Sequence, residues 1–141
     1  VGKGIKENCI VSAQFSIPYV VAACLIDGKL GPQQLTEKRM SDPDVLELCN
    51  KVQVKLDDDL NAVYPQYTSS RVEILFKSGE RRVKQVDIPR GDPRDPLERP
   101  GLIDKLVLFA GERDSSQLDK LIDLIVRLDE VDSINELSGL I

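Results

Sequence analysis

The sequence predicts an α+β domain: helices first, then a small antiparallel sheet built on a central hairpin, then a helical C-terminal third. Three observations carry this expectation. Apolar residues recur at helical spacing from residue 16 to 52, the period changes to two between 52 and 88, and helical spacing returns after a proline-rich break at 90–100. Helices and strands that arrive in blocks, without alternating, give a small sheet covered by helices and not a series of parallel βαβ units. Residues 1–141 are read as a single domain, long enough to bury one continuous core without metals or disulfides.

Residues 1–13 mix glycine and charge without periodicity and read as an irregular lead-in. Ser16 then offers a capping hydroxyl, Pro18 falls in a first helical turn, and Gly28 supplies a left-handed stop. Residues 19–26 between them are apolar on every side, which predicts a fully enclosed helix. A short helical segment is expected over 32–40, after which Asp42-Pro43 places an acceptor at an N-cap and proline at the first helical position. Val45, Leu48, Cys49 and Val52 keep i, i+3, i+4, i+7 spacing, so that face packs inward while Asp44, Glu47 and Lys51 stay wet.

Val54 and Leu56 alternate with Gln53 and Lys55, which predicts a strand ended by a turn at Asp57, Asp58 and Asp59. Val72, Ile74 and Phe76 alternate with Arg71, Glu73 and Lys77; Ser78-Gly79 carries hairpin chemistry, and residues 81–88 return as a second strand. After the break, Leu102, Ile103, Leu106 and Val107 mark a helix ending near Gly111. Leu118, Leu121, Ile122, Ile125 and Leu128 mark another, capped by Ser115 or Ser116, and Ser133 caps a last turn.

Charge and composition exclude several classes of partner. A net charge of −5 repels phosphate backbones and anionic lipid headgroups, so neither nucleic acid nor a membrane surface is expected as a partner. Arg81, Arg82 and Lys84 form the one basic cluster, but without aromatics to stack bases it reads as a solvated strand face. Cys9, Cys24 and Cys49 are odd in number and lack metal-ligand spacing; Cys24 and Cys49 read as small buried thiols. The longest apolar run, 20–26, is far shorter than the ~20 residues that span a bilayer, and no export signal is apparent, so the expected compartment is the cytoplasm. A start at Val1 is what a processed product or an excised segment gives.

The chain contains no histidine, which excludes Ser–His and Cys–His arrangements within it. No P-loop, GxGxxG, HExxH or EF-hand spacing appears, and no metal or cofactor is expected. Asp57, Asp58 and Asp59 lack the later glycine and glutamate of a calcium loop and read as a solvated turn. Tyr19 is the most suggestive residue. It begins an apolar helix whose N-terminus presents free N–H groups to an anion. The competing reading is a buried tyrosine with its hydroxyl hydrogen-bonded at the edge of a core.

An ordered set of fragments also resembles the C-terminal domain of the MmgE/PrpD family: Phe15-Ser16-Ile17-Pro18-Tyr19, Ala22-Ala23, Leu25-Ile26-Asp27-Gly28, Asp42-Pro43, Tyr64-Pro65, Gly79, and Pro89-Arg90-Gly91-Asp92-Pro93-Arg94-Asp95-Pro96-Leu97. Members include 2-methylcitrate dehydratase, cis-aconitate decarboxylase and iminodisuccinate epimerase, which move protons next to carboxylates without a metal. The resemblance implies a smaller α+β domain joined to a large helical one, which supplies the histidines and most cationic ligands, with the active site between them. It implies a catalytic role for Tyr19, and a small polycarboxylate is expected at Gln14, Ser16 and Arg90; Arg94 is the alternative to Arg90, and the competing reading of their loop, with Gly91, Pro93 and Pro96, is a rigid crossover from a sheet edge to a helix. Many relatives carry lysine just before the Phe-Ser pair, where Gln14 can hydrogen-bond a carboxylate but supplies no charge. On this reading the chain is part of a metal-independent lyase or isomerase, inactive without its helical domain. The alternative is a non-catalytic interaction or oligomerisation module. A homodimer is expected in either case, because a cut domain exposes the surface its partner covers.

Overall fold

Capping chemistry sets most of the helix boundaries. The computed structural model describes residues 9–111 and 113–140, so the first eight residues of the expected lead-in lie outside the described chain. Residues 10–13, expected to be irregular, belong instead to a short helix, α1 (Ile10–Gln14), because Ala13 has a core to enter and is fully buried there. Helix α2 spans Ile17–Asp27: Ser16 accepts the Tyr19 N–H at 3.4 Å, Pro18 lies in the first turn, and Gly28 closes the helix at φ 72°. An L side chain resists that φ, which is why glycine stands there.

A 3-10 helix at Pro32–Leu35 and helix α3 at Glu37–Met40 fill the expected segment. Helix α4, Pro43–Lys51, starts where Asp42 accepts the Asp44 N–H at 3.0 Å. These elements make the core: Ala13, Tyr19, Ala22, Ala23, Met40, Val45 and Cys49, with Leu30, Leu35 and Leu48 packed against it. Helix α2 is not fully enclosed, as its all-round apolarity predicts. Its Tyr19, Ala22 and Ala23 face is buried, whereas Cys24, Leu25 and Ile26 are exposed, Leu25 on an open cleft lined also by residues 52–57 and 69–75. Cys49 is a buried thiol as expected and Cys24 is not.

The expected strand at 52–56 does not form. The backbone is extended at Val52 (φ −75°, ψ 126°) and Asp57 (φ −129°, ψ 110°), but no ladder joins this stretch to any described residue, and Leu56 is 96% exposed. Alternation gives a segment two faces; only a neighbouring edge makes it a strand. The three aspartates are not a turn either. Asp57 accepts the Leu60 N–H at 3.3 Å and starts α5 (Asp58–Ala62), because carboxylates are favoured at a helix N-terminus.

Strands β1 (Ser70–Leu75) and β2 (Arg81–Val86) form the antiparallel hairpin, with Val72 opposite Lys84 and Ile74 opposite Arg82. The turn closes with the Phe76 N–H on the Glu80 carbonyl at 2.9 Å and Gly79 at φ 85°. The fold is α+β, but the sheet is not covered by helices. Every residue of both strands is exposed apart from the half-buried Ile74. Arg81 pairs with Glu73 at 2.6 Å and Arg82 with Glu80 at 2.6 Å, the solvated strand face read from the sequence.

The C-terminal third is helical. Helix α6 (Arg99–Ala110) ends at Gly111, and α7 (Ser115–Val126) is capped by Asp114, not by either serine, because the aspartate carboxylate takes both the Ser116 and Gln117 N–H groups. A 3-10 helix at Leu128–Glu130 leads to α8 (Asn135–Ser138), where the Ser133 hydroxyl accepts the Asn135 N–H at 3.3 Å. Gly31 lies against Leu108 of α6, whose methyl groups a Cβ at position 31 would meet at 3.4 Å. Among the described residues no helix is long and apolar enough to cross a membrane.

Met40 is 1% exposed in the core, so Met40→Ala is expected to cost about 2–5 kcal/mol of unfolding free energy. Leu56→Ser, at a bare position, is expected to change it by less than about 0.5 kcal/mol. Urea unfolding of both variants checks where the core lies.

Candidate functional site

Tyr19 anchors a polar centre beneath α2. Its side chain is 0% exposed and its hydroxyl donates to the Gln34 backbone carbonyl. Burial pushes its ionisation above the ordinary tyrosine range, and the Arg39 guanidinium offsets only part of that. The phenol is therefore neutral near pH 7, a proton donor and not a base.

Gln34, 6% exposed, is the hub of this centre. Its carbonyl holds Tyr19, its Oε1 accepts the Gly31 N–H at 3.0 Å, and its Nε2 donates to Asp27 Oδ2 at 3.1 Å. Asp27 in turn receives Arg39 through two nitrogens, Nε at 3.1 Å and Nη2 at 2.6 Å, while Arg39 Nη1 reaches Asp42 at 2.6 Å. The hydrogen bonds from Arg39, with the Gln34 amide adding to them, hold the Asp27 carboxyl below the usual carboxylate range. This network is absent from the sequence-based expectations. Two signals for it are present in the chain: an aspartate just before the helix-ending Gly28, and an arginine three residues before the capping Asp42.

The start of α2 offers an anion less than its sequence implies. Of the N–H groups that a helix leaves unpaired at its N-terminus, the one on Ser16 is bonded to the Ala13 carbonyl at 3.1 Å, Pro18 has none, and that of Tyr19 is capped by Ser16. Among the described residues only the Ile17 N–H of this set is left without a hydrogen-bond acceptor, one donor and not a cradle. Ser16, 9% exposed, has its oxygen turned to Tyr19 and retains its own proton to donate.

The remaining expected ligands sit further out. Gln14, the last residue of α1, is exposed, next to Phe15 at 83% exposure. Arg90 is exposed in the proline-rich loop, its backbone bridging to Asp92, and among the described residues no hydrogen bond or ion pair engages its guanidinium. Arg94 is committed to the loop: its guanidinium holds Asp92 at 2.9 and 3.0 Å and the Gln66 carbonyl at 2.6 Å, and lies 5.5 Å from the centre of the Tyr67 ring. Gln14, Ser16 and Tyr19 thus lie in one segment, and among the described residues no hydrogen bond or ion pair joins Arg90 to them. Asp57 is engaged by the Leu60 N–H and by Arg71, and among the described residues no group of three potential metal ligands converges.

The described residues thus give a small α+β domain with a self-capped helix start, a buried neutral phenol at Tyr19 and an exposed guanidinium at Arg90. The MmgE/PrpD C-terminal domain family matches residues 1–130, nearly the whole chain, and the protein belongs to that family. No curated protein matches it significantly.

Asp27 and Asp92 give the domain an acid limit. Asp92 is lowered to about 2, chiefly by the Arg94 side chain and also by its N–H, and Asp27 is lowered by Arg39. A depressed carboxyl contributes stability that is present above its unfolded value, near 3.8, and is lost as pH falls through the folded one. The urea midpoint is expected to fall steadily between about pH 4 and pH 2. Asp27→Asn with Asp92→Asn is expected to flatten that slope.

Proposed function

We propose that this domain forms one wall of an inter-domain site in a metal-independent lyase or isomerase acting on small polycarboxylates, a 2-methylcitrate dehydratase-like enzyme, and that it is inactive alone. The observation that carries this reading is the family match over residues 1–130 in a chain that has no histidine. The proton-abstracting base and most of the cationic ligands are then expected on the helical domain.

On this side of the cleft, the Arg90 guanidinium suits a carboxylate bidentately, the exposed Gln14 amide donates to a second one, and Ser16 has a proton to give. Tyr19 is the least accessible of the four. Its catalytic role requires the hydroxyl to exchange the Gln34 carbonyl for a substrate carboxylate, and its neutral state suits donation or relay of a proton. Its burial favours the competitor, a purely structural tyrosine, and kinetics separate the two.

A second reading, an oligomerisation module, is favoured by the apolar residues that the C-terminal helices leave bare, Leu102, Val107, Phe109 and Ile125 among them. Light scattering that finds a homodimer, together with a parent protein inactive on every polycarboxylate tried, would favour it.

The parent protein with both domains is expected to turn over 2-methylcitrate, cis-aconitate or iminodisuccinate, and this chain alone none of them. Measurable turnover by the isolated chain overturns the claim of incompleteness. In the parent, Tyr19→Phe is expected to lower kcat by about 100-fold or more; normal kinetics would return Tyr19 to the core. Arg90→Gln is expected to raise KM.

A further inference from the structure

Ser16 and Gln34 are the two buried polar residues among those described, and both hold Tyr19. Ser16 accepts the Tyr19 backbone N–H at 3.4 Å and the Gln34 backbone carbonyl accepts its hydroxyl, so the side chain is fixed at its root and at its tip. Any residue type supplies a backbone carbonyl, and a buried carboxamide is unfavourable unless both of its ends are bonded. What the Gln34 side chain adds is the aim of that carbonyl. Its Oε1 takes the Gly31 N–H at 3.0 Å while its own N–H donates to the Gly31 carbonyl at 3.0 Å, which closes a ring of two bonds with Gly31. Its Nε2 donates to Asp27 at 3.1 Å and ties that ring to the end of α2.

Asp27 is oriented in its turn. Arg39 meets it through Nε and Nη2 and meets Asp42, the cap of α4, through Nη1. The contacts therefore run from Asp42 through Arg39, Asp27 and Gln34 to the phenol, and among the described residues no buried side-chain nitrogen or oxygen lacks a partner. Neither the Gln34 carbonyl nor the ionised Asp27 carboxylate has an acidic proton to give, so this chain of contacts orients the hydroxyl and does not replenish it.

We infer that Asp27, Gln34 and Arg39 are positioning residues of the site: they fix where the Tyr19 hydroxyl points, and through it the rate of the step in which Tyr19 takes part. The consequence for turnover rests on the polycarboxylate reading; the hold on the hydroxyl does not. The competing role is stability alone, in which the same bonds join α2 to α4 and the phenol is incidental.

Hydroxyl exchange separates the two roles in the chain itself. Tyr64 is exposed and Tyr67 is half-buried, so Tyr19 is the tyrosine whose hydroxyl proton is shielded enough to follow by proton NMR. Gln34→Leu keeps the carbonyl and removes both side-chain bonds; Arg39→Lys keeps the charge and removes the fork. Each is expected to speed Tyr19 hydroxyl exchange by about 10-fold or more beyond any change in the Ala22 and Ala23 amides of α2. Leu121→Ala, at a buried position of α7 outside the core cluster, is expected to move hydroxyl and amides in step. Hydroxyl exchange that follows the amides in all three variants overturns the positioning role.

In the parent protein, Gln34→Leu and Arg39→Lys are expected to lower kcat by about 10-fold or more with KM changed less than about twofold, and to lower it no further in a Tyr19→Phe background. Losses of equal size in both backgrounds overturn the inference, because the two residues then act on something other than the phenol. A parent without turnover, or one whose Tyr19→Phe variant is normal, overturns the polycarboxylate reading and the consequence for rate with it, while hydroxyl exchange still decides the hold on Tyr19.

Discussion

The Arg39 guanidinium, gripped by Asp27 on one side and Asp42 on the other, is the constraint on which the helical half depends. Each carboxylate is partly exposed, so neither ion pair is strong by Coulomb attraction alone. The forked geometry matters more. Asp27 is the last residue of α2 and Asp42 caps α4, so one planar group sets the end of one core helix against the start of the next. Gln34 joins the same centre, and its carbonyl fixes where the Tyr19 hydroxyl rests. The position of the one buried phenol follows from a loop that the helices themselves do not contain.

Local chemistry was legible in the sequence and non-local pairing was not. Ser16, Gly28, Asp42 and Gly79 act through groups one to four residues away, and each does what its residue type implies. Asp114 shows where that kind of legibility thins: three capping residues stand in a row, and the charged acceptor takes the role. The stretch 52–56 carries a strand's alternation, but its pairing depends on an edge its own residues do not supply. Helix α2 has an apolar outer face for the same reason, since composition records that a face is apolar and not whether its cover lies within the described chain. In the site, the Phe15 to Tyr19 segment was visible as a segment. The depth of Tyr19 was not, because it depends on Gln34, fifteen residues on.

Helix α2 faces two ways. Tyr19, Ala22 and Ala23 close the core, while Ile17, Val21 and Leu25 turn to the cleft beside β1. Tyr19 and its cap Ser16 therefore share one cylinder with the residues that line the cleft, whereas Gln14 and Arg90 come from α1 and the proline-rich loop. The acid limit set by Asp27 acts on this cylinder too, since protonation there loosens its C-terminal end.

Gly31 has a consequence of a different kind. Its φ of −154° is extended backbone that any residue adopts, so conformation does not require glycine there. A Cβ there would touch the Leu108 methyl groups at 3.4 Å, ordinary van der Waals contact that leaves no room for anything larger without a shift. The two positions, far apart in the chain, meet through volume alone, so a side chain larger than alanine at 31 needs room made at 108. Among homologous chains, a larger residue at position 31 should travel with a smaller one at 108, a paired record of contact written by sterics where neither charge nor hydrogen bonding leaves a trace.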